Sequence, residues 1–167
     1  MHLFRPATPP TPDSDMRDDE RYGTFRRVLV PVDTFEMSVN ALRLAARTGR
    51  AAGGRLRLVH VRVWDPPAPR GGGLFYPETS EEATALLDKA MSYVWNFGVD
   101  ASGIVVEAPR PSVGAAILAE ASRWAADVIV LTARPRRFIT LGVWDKATRQ
   151  VMQTAACPVL VVHPGRP

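Results

Sequence analysis

The sequence predicts an α/β domain built on an open, doubly wound, five-stranded parallel sheet with helices on both faces. Three observations carry that prediction. Five short runs are almost wholly apolar, helical stripes lie between them, and five such units are too few for a closed eight-stranded barrel. Strands buried on both faces read as continuous apolar runs rather than alternating ones. Crossovers of helical length make successive strands parallel and the connections right-handed.

The first run is Arg27-Val28-Leu29-Val30-Pro31-Val32. Val39, Leu42, Ala46 and Gly49 then recur at helical spacing, with Arg43, Arg47 and Arg50 on another face, until Gly53-Gly54 stops the helix. Leu56 to Val61 is the second strand, and a loop rich in proline and glycine follows from Asp65 to Pro77. Thr79 and Glu82 have capping-box spacing, and Ala83, Leu87, Ala90, Val94 and Phe97 continue a stripe to Gly98. Ile104-Val105-Val106 is the third strand. Ser112 is positioned to cap a helix whose inner face is Val113, Ala116, Ile117, Ala121 and Trp124. Asp127 to Leu131 is the fourth strand. Asp145 is positioned to cap the last helix, with Ala147, Val151 and Ala155 inward, and Cys157 to Val162 is the fifth strand.

Residues 1–24 are rich in Pro, Thr, Asp and Ser and offer few apolar groups to offset the entropy of ordering, so a disordered tail is expected there. The domain is expected over residues 25–163, with a short tail at 164–167. The net charge is +4, but the tail carries three Arg against five acids, leaving 18 basic and 12 acidic residues beyond it. Arginine supplies nearly all of this, since Lys89 and Lys146 are the only lysines. Such a surface either meets phosphates or is simply solvated. No run is long and apolar enough for a membrane span, no secretory apolar stretch opens the chain, and one cysteine, Cys157, forms no internal disulfide. A cytoplasmic protein is the expectation, with neither a membrane nor a nucleic-acid partner.

Ligands of open sheets sit beyond the C-terminal strand ends where strand order reverses, which directs attention to the residues after strands one and four. Both places resemble one family. Val28-Leu29-Val30-Pro31-Val32-Asp33, then Ser38 and Ala41-Leu42, resembles the opening of a universal stress protein domain. Leu58-Val59-His60-Val61 is similar to its second strand. Ala126 to Leu131, followed by Ala156-Cys157-Pro158-Val159-Leu160-Val161-Val162, is similar to its second half.

The resemblance spans about residues 25–163 and implies a sheet ordered 3-2-1-4-5 and a homodimer. Asp33 matches an acidic residue facing the adenosine portion of a nucleotide, with Pro31, Val32 and Val61 lining the same crevice. Read from the residues alone, Asp33 serves equally as a loop or helix cap. The family's ATP-binding members carry Gly-x2-Gly-x9-Gly-Ser/Thr after strand four. Laid without gaps on this chain, those positions fall on Thr132, Pro135, Asp145 and Lys146. Glycine lets backbone N–H groups approach phosphate oxygens. Pro135 has no N–H to give, and Asp145 brings a carboxylate where phosphate would lie. Lys146 and the cluster Arg134, Arg136 and Arg137 partly offset it, either holding an anion or forming a solvated loop.

His60 is read as a packed histidine without a second metal ligand, and Cys157 as structural. Trp124 and Trp95 are assigned to the core, whereas Trp64 and Trp144 border loops where either covers a pocket. No Gly-x-Ser-x-Gly elbow, His-Glu-x-x-His pair, Walker loop or Gly-x-Gly-x-x-Gly turn is present. A phosphoacceptor receiver needs an acidic cluster after strand one and a Lys after strand five, and neither occurs. The expectation is therefore a non-enzymatic stress-response dimer without a cofactor, acting through an unknown protein partner. A regulatory module for a nucleotide or other anion is the alternative. The edge strand Val159, Leu160, Val161 and Val162 is the expected dimer interface, because an uncovered apolar edge seeks a partner strand.

Overall fold

The computed structural model describes residues 25–67, 73–133 and 143–163. Expectations for the tails and for Arg134, Pro135, Arg136 and Arg137 lie outside these residues. The elements run β1 (Arg27–Pro31), α1 (Phe35–Ala51), β2 (Arg55–Trp64), α2 (Ser80–Trp95), β3 (Asp100–Pro109), α3 (Val113–Arg123), β4 (Val128–Thr132), α4 (Val143–Thr154) and β5 (Val159–Val162). All five strands are parallel and ordered 3-2-1-4-5.

Successive strand residues point to opposite faces, so the apolar runs feed two cores. On one face Val28, Val30 and Val32 of the β1 region meet Leu42 and Ala45 of α1 and Leu87, Ala90 and Val94 of α2. On the other, Leu29, Val59, Val61 and Ile129 meet Val113 and Ile117 of α3 and Val151 of α4. Fully burying each of the larger side chains contributes about 1.5–3 kcal/mol. The switch from β1–β2 to β1–β4 pairing opens the crevice at the C-terminal strand ends.

Helix starts follow local chemistry. Thr34, not Asp33, caps α1: its hydroxyl accepts from the Met37 amide. Thr79 and Glu82 form the full capping box of α2. Two cap assignments are corrected. Ser112 makes no capping hydrogen bond, because a 3₁₀ turn at Arg110–Ser112 already winds into α3. Asp145 lies inside the first turn of α4, which starts at Val143. There its negative charge still favours the positive end of the helix.

Other boundaries shift as well. β2 and β3 pair over ten residues each, longer than their apolar runs, because polar ends such as Arg55 opposite Asp100 extend the ladder. α2 ends at Trp95, and Phe97 packs on the core from the turn beyond it. Trp95 is 54% exposed and not a core residue, whereas Trp124 is 8% exposed. The α2 stripe already buries Ala90, Met91 and Val94, which turns position 95 to solvent. Between α1 and β2, a Cβ on Gly54 would stand 2.4 Å from the Arg26 carbonyl oxygen, a backbone atom that cannot yield. Only glycine fits there.

Candidate functional site

Three adjoining spaces lie along the C-terminal strand ends. At the switch between β1 and β4, a cavity of about 30 Å³ is lined by Pro31, Asp33, Ser38, Leu131, Thr132 and Trp144, among others. It has room for a water or two. Toward β2 the space widens to about 210 Å³, bordered by Asp33, His60, Val61, Val63, Glu78 and Trp144. Beyond Arg110, about 350 Å³ opens between the first turns of α3 and α4, lined by Asp65, Arg110, Val113, Gly114, Lys146 and Ala147. Asp33 and Trp144 belong to the first two spaces and Arg110 to the last two, so they form one groove.

The middle of the groove is acidic. Asp33 enters from the β1 end and Glu78 from the segment before α2. His60 fixes Glu78 in place: its Nε2 lies 2.7 Å from a Glu78 carboxylate oxygen, and its Nδ1 lies 2.7 Å from the Val32 carbonyl. A carbonyl only accepts, so Nδ1 carries a proton, and the Nε2 contact needs a second proton on one partner or the other. His60 is buried, as expected, but as a polar anchor beside the site rather than apolar filler. Val32 supplies its carbonyl here while its side chain enters the α1–α2 core.

The segment bearing Glu78 is clamped further. The Arg62 Nε–H donates to the Glu78 carbonyl at 3.0 Å, and Arg62 pairs with Glu107 at 2.7 Å. Its guanidinium also lies 3.9 Å from the Tyr76 ring centre. The Tyr76 hydroxyl donates to Glu107, and partial burial together with that carboxylate raises the phenol above its ordinary range.

The far end is cationic. Arg110 forms a two-pronged pair with Asp65, at 2.7 and 2.5 Å. Hydrogen bonding from Arg110 holds the Asp65 carboxyl below its usual value. Lys146 is exposed and makes no ion pair among the described residues. The Thr132 hydroxyl, at the end of β4, is buried with no hydrogen-bond partner among the described residues. No cluster of three or more His, Cys, Asp or Glu suited to a metal ion occurs among the described residues, and no helix there is long and apolar enough to cross a membrane.

The structure thus brings Pro31, Asp33, Val61 and Thr132 to one crevice and puts Lys146 at the other end of the groove. Arg134, Arg136 and Arg137 lie outside the described residues. Sequence reasoning missed Glu78, Asp65 and Arg110. Arg110 sits at the C-terminal end of β3, a place the strand-end rule covers but the focus on β1 and β4 passed over. Glu78 reaches His60 across 18 positions, a contact that no local pattern announces.

The chain is similar to solved structures of the same fold. One is a universal stress protein from Archaeoglobus fulgidus, 23% identical, covering 82% of this chain and 98% of that one, with a TM-score of 0.63. Another is the universal stress protein from Archaeoglobus fulgidus in complex with dAMP, also 23% identical, covering 82% and 97%, with a TM-score of 0.59. A third is an Arabidopsis thaliana family protein with AMP bound, 15% identical, covering 83% and 92%, with a TM-score of 0.56. No curated protein sequence matches the chain. The universal stress protein family model matches residues 24–163. With the strand order and the crevice where the fold requires it, that match makes this chain a member of the universal stress protein family.

Proposed function

We propose that this universal stress protein is a non-enzymatic, dimeric regulator, acting through partner contacts, whose groove takes a nucleoside monophosphate or similar small anion rather than Mg-ATP. The observation that carries the reading is the polarity of the groove. Carboxylates of Asp33 and Glu78 face its middle, suited to the amino and hydroxyl donors of a nucleoside. Lys146, Arg110 and the first turns of α3 and α4 border its far end, suited to one phosphate. Relatives of the same fold are described with dAMP and AMP, which have that bipolar form.

A triphosphate fits poorly. In the ungapped placement that the resemblance implies, the glycine positions of the ATP-binding members fall on Thr132, Pro135 and Asp145, which takes away three glycines and adds a carboxylate. Losing a hydrogen bond to a charged phosphate costs about 1.5–3 kcal/mol, and each 1.4 kcal/mol is about tenfold in affinity. Dimerisation is proposed through β5, which is an edge strand with Val161 39% exposed.

Native mass spectrometry of the freshly purified protein tests both halves. The expected spectrum is a dimer that takes up AMP and loses it in Asp33→Ala, while Val159→Lys with Val161→Lys gives monomer or aggregate. A dimer with no nucleotide adduct would favour a second reading, in which partner contacts alone carry function. The narrowness of the β1–β4 cavity, about 30 Å³, speaks for that reading.

A further inference from the structure

The end of the sheet opposite the groove carries an arginine surface that the proposed function does not use. Arg27 and Arg55 open the adjacent strands β1 and β2, and Arg26 lies against Gly54 and bonds to the Arg55 amide. The guanidinium carbons of Arg27, Arg55 and Arg57 stand 4.9, 5.9 and 5.7 Å from the centre of the Trp124 ring. Arg27 also donates to the Trp124 carbonyl at the end of α3.

Acidic groups at this end are largely committed. Glu120 is 1% exposed and pairs with Arg57 at 3.3 Å and Arg123 at 2.9 Å. Asp127 accepts from the Arg26 and Arg27 amides. Asp100 stands opposite Arg55 in the β2–β3 register. Arg26, Arg27 and Arg55 make no ion pair among the described residues, and Arg26 and Arg55 are exposed. The surface therefore keeps an excess of fixed positive charge on a pre-arranged, aromatic-backed frame.

The chain carries a complementary segment. Residues 13–20, Asp-Ser-Asp-Met-Arg-Asp-Asp-Glu, hold five acids against one arginine, and Glu20 is six residues before Arg26. Six residues span at most about 20 Å, so chain connectivity alone keeps Glu20 within that reach of Arg26. A short tether gives an effective concentration in the millimolar range, enough to favour even a weak electrostatic contact.

We propose that the acidic segment Asp13–Glu20 docks in cis on the Arg26–Arg27–Arg55 surface, masking it from acidic partners. The contact is electrostatic and screened by salt, since the Debye length falls from about 10 Å at 0.1 M to 3 Å at 1 M. A spin label on Ser14→Cys in a Cys157→Ser background reports it in the full chain. At 20 mM salt, paramagnetic broadening is expected at the Arg26, Gly54, Arg55 and Arg123 amides and not at Asp33 or Thr132. It should vanish at 1 M salt and when the five acids are changed to Asn and Gln. That neutralised variant should also bind a fluorescein-labelled poly-glutamate peptide at least tenfold tighter than wild type at 50 mM salt. Broadening centred elsewhere, insensitive to salt, or appearing between labelled and unlabelled chains in a mixture overturns docking in cis, as does equal peptide affinity of the two proteins.

Discussion

At the C-terminal ends of the strands, charged side chains border open space. Asp33 and Glu78 face about 210 Å³, and Arg110 and Lys146 face about 350 Å³. At the N-terminal ends of the same strands the space is filled. Trp124 lies under three guanidinium groups, and the Glu120 carboxylate is 1% exposed between Arg57 and Arg123. One sheet thus carries charge for two purposes. At the filled end the paired charges hold α3 to the sheet, and at the open end they border the groove.

The largest expected contrast is between two tryptophans. Trp124→Ala should cost about 3–5 kcal/mol in urea unfolding, because a large buried ring is lost and three arginines lose their platform. Trp144→Ala, a half-buried ring at the groove, should cost about 1 kcal/mol. Equal costs would erase the distinction between a filled end and an open one.

A smaller contrast separates Glu120 from Lys146. Glu120→Gln should lower stability by about 1–2 kcal/mol, a figure reduced from that of a fully buried pair because Arg57 and Arg123 are 24% and 65% exposed. Lys146→Ala should change it by less than about 0.5 kcal/mol. Thr79→Ala, which dismantles the capping box holding Glu78 at the start of α2, should cost about 1 kcal/mol and loosen the groove's acidic wall.

The smallest effect concerns pH. Hydrogen bonding to Arg110 lowers the Asp65 carboxyl in the folded state. The stabilisation is present above the ordinary carboxylate value and is lost as pH falls through the lowered one. An acid titration followed by NMR should therefore show Asp65 titrating below the exposed carboxylates, and Arg110→Gln should return it to their range.

Much of the fold was legible because apolar runs and helix stripes are local patterns. Val28-Leu29-Val30 and Val128-Ile129-Val130 are buried strands wherever they pack, and Thr79 with Glu82 announces a helix start unaided. The errors fell where tertiary packing decides. Trp95 reads as core from its composition, but the inward face of α2 was already filled by its neighbours. The candidate site was legible only in part. Asp33 follows from the strand-end rule, whereas Glu78 and Asp65 enter through contacts with His60 and Arg110 that join distant segments. Glu120 was invisible for the same reason, since its burial depends on arginines from β2 and α3 meeting it.

Paired calorimetric titrations with AMP and with Mg-ATP measure which nucleotide the groove takes. Micromolar binding of AMP is expected, weakened at least tenfold by Asp33→Ala, with no binding of Mg-ATP below about 1 mM. Micromolar binding of Mg-ATP by the wild-type protein, with AMP no tighter, would show instead that the groove accepts a triphosphate without the glycine loop.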